Sequence, residues 1–195
     1  MIVFLTGGVR SGKSDTAQKW GEGMEGRRLY LATAEALDDE MRRRIARHQM
    51  SRADRWTTWE EPVHIGTAIE RVADEYDVIL IDCLTVWVSN LLHYAEGDDE
   101  LYAKEVNALL KAMESLRGTV FIVSNEVGMG IVPDNACARE YRDRLGLLNQ
   151  RIAQKADRVY FICSGIPLVL KDGNPEGSGT QGNNVGKSLD RPPGD

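Results

Sequence analysis

The chain has 195 residues, a length that suits one ordinary domain with at most a short appendage. Its 30 acidic against 24 basic side chains give a net charge of −6, which argues against a generic nucleic-acid coat or a binder of anionic membranes. Hydrophobic residues at 42% and charged residues at 28% exclude a wholly disordered chain, and no apolar run approaches the ~20 residues of a bilayer span, so no stable membrane insertion is expected.

The first segment, Ile2–Leu5, is short, apolar and rich in branched side chains, and reads as a buried strand. Met1–Thr6 is too short for a secretory h-region and has no basic n-region. A helix from about Lys13 to Trp20 follows a glycine loop. Leu29–Ala32 is the second strand. Next comes a stretch, Asp38 to His48, that starts acidic and ends basic, an order that complements a helix dipole. Ile65, Ile69, Val72 and Tyr76 recur at helical spacing, Val78–Ile81 reads as a strand, and Tyr102, Val106, Leu109 and Met113 are helical again. Thr119–Val123 is a strand; Tyr141, Leu145, Leu148 and Ile152 form a helix starting near Pro133-Asp134; Val159–Cys163 closes the series. Strands alternating with helices predict an α/β fold with a mainly parallel sheet covered on both faces.

After Lys171 the character changes. Residues 172–195 hold six glycines and three prolines but only Val185 and Leu189 as apolar side chains, so they read as a disordered tail behind a domain of residues 1–171. Gly186-Lys187-Ser188 in that tail imitates the end of a phosphate loop. Gln181 stands where its first glycine should be, and no strand precedes it. Cys83, Cys137 and Cys163 form no CxxC pair and no even set, which suggests a reducing, cytoplasmic setting and packed thiols.

The strongest chemical signal is Gly7-Gly8-Val9-Arg10-Ser11-Gly12-Lys13-Ser14, which fits GxxxxGK[ST] directly after the first strand. The glycines let successive N–H groups point at phosphate oxygens, Lys13 should reach the β- and γ-phosphates, and Ser14 should give a hydroxyl to Mg²⁺. The following helix turns its positive end toward the same anion. Val78–Ile81 ends in Asp82, the pattern that places a carboxylate beside Mg²⁺ in nucleoside triphosphatases. A surface Asp after a buried strand is common, so Asp82 gains its weight from the phosphate loop. Ligands in such sheets sit at the carboxyl ends of strands, which gathers Thr33 to Glu35, Asp82 and Ser124 to Glu126 around one crevice.

His48 shares a helix face with Met41 and Ile45 and has Arg44 one turn away. On spacing alone a satisfied structural histidine is the preferred reading, ahead of a nucleophile or acid–base kept neutral by nearby arginines. His64, near a helix start, and His93 have no partner at metal-ligand spacing and read as structural.

These segments together resemble the bifunctional adenosylcobinamide kinase/adenosylcobinamide-phosphate guanylyltransferase family of cobalamin biosynthesis. The resemblance is carried by Thr6–Ser14, Tyr30-Leu-Ala-Thr-Ala-Glu35, Asp38-Asp-Glu-Met41 and Arg44-Ile-Ala-Arg-His48. It continues through Trp56–Pro62, Asp82-Cys-Leu-Thr85 with Asn90-Leu-Leu92, and the long string Asn125-Glu-Val-Gly-Met-Gly-Ile-Val-Pro133. Tyr141-Arg-Asp143, Leu145-Gly146, Asn149-Gln150 and Ala156-Asp157 complete it, in the expected order over residues 1 to 171.

The resemblance implies a P-loop, RecA-like fold, a homotrimer, and two reactions. ATP or GTP would phosphorylate the aminopropanol hydroxyl of adenosylcobinamide. GMP would then pass from GTP to adenosylcobinamide phosphate through a histidine–GMP intermediate, with His48 in the guanylylated position. Thr33, Ala34 and Glu35, then Gln49, Met50, Ser51 and Arg52, the Glu60–Glu61 pair and Asp82 match segments lining the guanine-nucleotide site. Two other readings compete. A generic P-loop small-molecule kinase leaves His48 without a task. A RecA-like, DNA-stimulated ATPase sits badly with the acidic charge and the lack of a basic stripe interleaved with aromatics, so no nucleic-acid partner is expected.

Overall fold

The structure, a computed structural model, describes residues 1–35, 39, 42–43, 53–95 and 98–173. Seven strands form one sheet: β1 (Ile2–Gly7), β2 (Arg28–Ala32), β3 (Thr57–Glu60), β4 (Val78–Asp82), β5 (Thr119–Val123), β6 (Arg158–Cys163) and β7 (Ile166–Lys171). Their order is β3-β2-β4-β5-β1-β6-β7, parallel throughout except for the antiparallel β6–β7 pair. The helices are α1 (Lys13–Glu22), α2 (Ile65–Val72), α3 (Leu84–Ala95), α4 (Asp99–Ser115) and α5 (Ala136–Lys155).

Period-two alternation along the central strands splits the core into two unequal layers. Phe4, Leu29, Leu31, Ile79, Ile81, Val120 and Ile122 face α2, α3, α4 and α5. Val3, Leu5, Tyr30, Val78, Leu80, Phe121 and Val123 face the opposite side, where α1 supplies Ala17 and Trp20 and the segment before β3 supplies Trp56. Both faces of the inner strands are therefore apolar, the property that made them legible as strands. α2 crosses α4 so closely that a Cβ at Gly66 would come within 2.5 Å of the Ala108 carbonyl carbon.

Some expectations shift. α2 ends at Val72, before Tyr76, which still packs against the core from the following turn. α5 starts three residues later than Pro133, capped by Asn135, whose Oδ1 accepts from Ala138 N–H at 3.1 Å. The expectation of packed thiols holds only in part. Cys83 is half-buried, but Cys137 and Cys163 are exposed, since α5 begins in solvent and β6 ends there. Neither β3 nor β7 was anticipated, because both are edge strands with largely exposed side chains. Within the stretch from Asp38 to His48, Asp39, Arg42 and Arg43 are helical and Arg42 pairs with Asp39 at 3.5 Å. His48, Gln49, Met50, Ser51, Arg52 and the tail from residue 174 lie outside the described residues. Among the described residues no helix is long and apolar enough to cross a membrane.

Candidate functional site

The glycine loop leaves the carboxyl end of β1 and enters α1, and its backbone explains its sequence. Gly7 has φ +146°, and a Cβ there would lie 2.2 Å from the Ile162 carbonyl oxygen on the adjacent strand. Gly12, the residue before α1, is left-handed at φ +95° and gives the helix no side-chain cap. The first turn of α1 therefore keeps its N–H groups for an anion, as phosphate-binding helices do. The two-residue turn between β6 and β7 has Ser164 at φ +51° and Gly165 at +82°, as tight hairpins require. Its Gly165 N–H donates to the Ser11 carbonyl at 2.8 Å and props the loop from behind. Lys13 is buried within the loop, its Nζ donating to the Gly8 carbonyl at 2.6 Å and to Ser11 Oγ at 3.3 Å.

The strand order β4-β5-β1 leaves one strand between the glycine loop and Asp82, and α1 bridges that gap. Ser14 Oγ donates to Asp82 Oδ1 at 2.9 Å. The other carboxylate oxygen, Oδ2, accepts from the hydroxyl of Tyr30, a buried side chain on β2. Asp82 is thereby held with Oδ1 turned to Ser14. Hydroxyl and carboxylate oxygens at this spacing are the hard donors that Mg²⁺ takes, so Ser14 and Asp82 fit the ion that a triphosphate brings with it. Two buried hydroxyls at the same end of the sheet have no hydrogen-bond partner among the described residues: Thr6 Oγ1 on β1 and Ser124 Oγ just after β5.

The remaining sequence candidates are placed as follows. Thr33 is fully buried; its hydroxyl accepts from Cys83 N–H and donates to Cys83 C=O, both at 2.9 Å, which welds the end of β2 to that of β4. Ala34 and Glu35 continue from there, half-buried, and the Glu35 carboxylate accepts from Tyr94 OH at 2.9 and 3.0 Å, pushing that phenol's pKa up. Glu61 Oε1 accepts from the N–H groups of Val63 (3.1 Å) and His64 (2.8 Å) just before α2. Val9 is 74% exposed at the loop's outer edge, beside Arg10, whose φ is +55°. Burial, and next the Asp82 charge, push the Cys83 thiol up to about 11. His64 caps nothing with its ring, but its Nδ1 lies 3.0 Å from the buried Glu105 carboxylate.

Tyr30, Thr6 and Gly165 were not singled out as site residues, whereas Ser124 was already gathered into the crevice by its place after a strand. A tyrosine in an otherwise aliphatic strand, and hydroxyls at strand ends, were the available signals.

A family profile described as CobU, cobinamide kinase / cobinamide phosphate guanyltransferase, matches residues 3–170. The chain belongs to this family. Membership makes it a bifunctional transferase built on the phosphate loop described above. Among curated relatives, a bifunctional adenosylcobalamin biosynthesis protein CobP from Pseudomonas aeruginosa is 40% identical over 171 residues, covering 88% of this chain and 98% of that one. The corresponding CobU of Salmonella typhimurium is 40% identical over 182 residues, covering 88% and 100%. The Escherichia coli CobU is 37% identical with the same coverage. Solved structures show the fold alone. A type III secretion ATPase of pathogenic bacteria superposes with TM-score 0.52 at 11% identity, over 82% of this chain and 50% of that one. The assembled ATPase EscN of enteropathogenic E. coli gives 0.51 at 11%, over 84% and 43%. Together with the glycine loop of this chain, the likeness gives a P-loop fold.

Proposed function

We propose that the protein phosphorylates the aminopropanol hydroxyl of adenosylcobinamide with ATP or GTP, then transfers GMP from GTP to adenosylcobinamide phosphate through His48. The observation that carries this reading is the glycine loop with Ser14 and Asp82 converging at 2.9 Å, in a chain of the cobinamide kinase and guanyltransferase family.

In the kinase step the substrate oxygen attacks the γ-phosphorus, the bond to the β-phosphate oxygen breaks, and a nucleoside diphosphate leaves. The loop N–H groups and Lys13 take up the developing charge on the phosphate oxygens. Ser14 and Asp82 would hold Mg²⁺, which would supply further neutralisation of the phosphate charge. Both Asp82 oxygens have hydroxyl partners, whereas Glu126, just after β5, has Oε1 accepting from Gly128 N–H at 2.6 Å and leaves Oε2 for the hydroxyl proton, so it is the base we assign.

In the transfer step a neutral His48 imidazole attacks the α-phosphorus, an N–P bond forms, and pyrophosphate leaves while the same loop cradles it. The phosphate of the acceptor then attacks, the N–P bond breaks, and adenosylcobinamide-GDP departs with the imidazole restored. Nothing in the generic-kinase reading uses His48. The family resemblance also supports a homotrimer, and the cysteine pattern a cytoplasmic enzyme. The net charge of −6 supports a partner list of small molecules without nucleic acid.

Incubation with α-labelled GTP and Mg²⁺ tests the covalent step. Acid-labile, base-resistant label on the wild type is the expected phosphoramidate. His48→Asn should lose that label and GMP transfer while keeping the kinase reaction. Label persisting on the variant puts the nucleophile elsewhere, and loss of both reactions in a folded variant makes His48 a phosphate-positioning residue.

A further inference from the structure

After β5 the chain runs Asn125-Glu-Val-Gly-Met-Gly-Ile-Val-Pro133, and both ends of this loop are fastened. Asn125 N–H donates to Thr85 Oγ1 at 2.8 Å, and its carbonyl accepts from Asn149 Nδ2 at 3.0 Å. Glu126 N–H donates to the Gly7 carbonyl at 3.0 Å, which ties the loop directly to the phosphate loop. At the exit, Arg139 Nη1 donates to the carbonyls of Pro133 (2.8 Å) and Asp134 (2.7 Å). Between these clamps Met129 is 81% exposed, Ile131 96% and Val132 59%. A lone exposed apolar side chain is ordinary; three within four residues, on a loop pinned at both ends, form a patch held ready for a ligand.

Gly130 adds an independent observation. Its backbone is not left-handed, and a Cβ built on it meets nothing within 4 Å among the described residues. Gly8 in the phosphate loop and Gly146 on α5 share these two properties, and at Gly8 the missing side chain would clear the backbone for phosphate. Gly130 suits the same purpose, close approach of a ligand to the backbone, among apolar neighbours in place of cationic ones.

We propose that this loop is the docking surface for the corrin macrocycle of the acceptor, an inference that rests on the cobinamide reading above. The occupant is a broad, methyl-studded ring whose face lies on Met129, Ile131 and Val132 over the Gly130 backbone. The hydrogen bond from Glu126 to Gly7 places that surface beside the phosphate loop, where a hydroxyl on the ring's arm must meet the γ-phosphorus. The other exposed apolar stretch, Leu168 to Leu170, lies on the edge strand β7, and an unpaired strand edge suits a second chain better than a macrocycle.

Equilibrium dialysis of cobinamide against the full chain, with Mg²⁺ and a non-hydrolysable GTP analogue, tests this directly because the ligand is coloured. Two variants are compared with wild type: the double change Met129→Ser with Ile131→Ser, and Gly130→Leu. Each should weaken cobinamide binding by about tenfold or more, the equivalent of ~1.4 kcal/mol. Each should keep the melting temperature and the affinity for the nucleotide analogue. Cobinamide affinity unchanged in both variants overturns the proposal. So does unchanged affinity with a smaller assembly on sedimentation, which assigns the patch to a second copy of the chain. Cobinamide bound by wild type and lost in the variants, but never phosphorylated when ATP or GTP replaces the analogue, keeps the docking surface and sinks the kinase reading. Failure of wild type to bind cobinamide removes both.

Discussion

The two ends of the sheet use aspartate in opposite ways. At the amino end, Asp77 Oδ2 accepts from Arg27 N–H at 2.8 Å and Asp157 Oδ2 from Ile2 N–H at 2.6 Å, while the Met1 ammonium donates to the Gly118 carbonyl at 2.8 Å. These carboxylates complete the backbone where strands begin. A hollow of about 290 Å³ opens there beside Tyr76, Asp77 and Arg117, but it adjoins no glycine loop. At the carboxyl end, the hydrogen-bond partners of the Asp82 carboxylate among the described residues are the hydroxyls of Ser14 and Tyr30, and the buried hydroxyls of Thr6 and Ser124 have none there. A carboxylate closed by backbone N–H groups is part of the fold. One surrounded by hydroxyls, next to uncapped helix N–H groups, is equipped to hold a cation and phosphate.

The largest effect that separates the two ends is expected from Lys13→Ala. Both transfer reactions draw on the same phosphate-neutralising charge, so both should fall by about 10²–10³-fold, as loss of a preorganised electrostatic partner does. Turnover in the two assays checks this, with circular dichroism to confirm the fold. A normal rate in either assay breaks the idea of one shared triphosphate site.

Gly118→Ala is the matching change at the amino end. A Cβ there would lie 2.3 Å from the Asp77 carbonyl oxygen, a backbone atom that cannot swing away. Overpacking of this kind costs about 1–3 kcal/mol. Urea unfolding should show that loss while the activity per folded molecule is retained. If activity falls with stability intact, the amino end takes part in function and the contrast collapses.

How much of this was legible in the sequence follows the same division. The inner strands announced themselves because both faces are buried, and the phosphate loop because its glycines and Lys13 serve geometry that few other sequences provide. β3 and β7 escaped because edge strands with exposed side chains carry no period-two signal. Asp82 was readable as a strand-ending acid, but its orientation depends on Tyr30, 52 positions away in sequence, and pairing across strands is invisible to local pattern. Thr33 looked like a crevice residue, and its hydroxyl proves to be committed to the Cys83 backbone. Spacing showed that His48 is placed on a face, and only the family pattern gave it a reaction.

Cys83 sharpens the comparison within the carboxyl end itself. Burial, reinforced by the neighbouring Asp82 charge, raises its thiol from 9.0 to about 11, so the folded protein holds the proton where the unfolded chain releases it. At pH 8 the thiol stays neutral, and alkylation of the native protein should modify the exposed Cys137 and Cys163 and spare Cys83. The sign for stability follows from the raised value. The contribution is fully present below pH 9 and is lost as pH climbs toward 11. Peptide mapping after brief iodoacetamide treatment reads the first outcome. Rapid labelling of Cys83 would show that the end of β4 opens to solvent, and with it the bed on which Asp82 lies.

The smallest effect concerns the tail, which from its composition reads as disordered. β7 ends at Lys171, whose Nζ donates to the Ala153, Gln154 and Ala156 carbonyls at the end of α5, at 3.3, 3.0 and 2.6 Å. Asp172 pairs with Arg158 at 3.3 Å, and Gly173 is the last described residue. Beyond that point only Val185 and Leu189 could bury apolar surface, too little to offset the ordering of 22 residues at about 1–2 kcal/mol each. Truncation after Gly173 should therefore leave the melting temperature, the sedimentation coefficient allowing for lost mass, and both activities unchanged. Truncation after Lys171 should differ from it only by one exposed ion pair, about 0–1 kcal/mol. A fall in activity or a smaller assembly on removing residues 174–195 would show that the tail contributes to a site or a subunit contact, and that the domain does not end with β7.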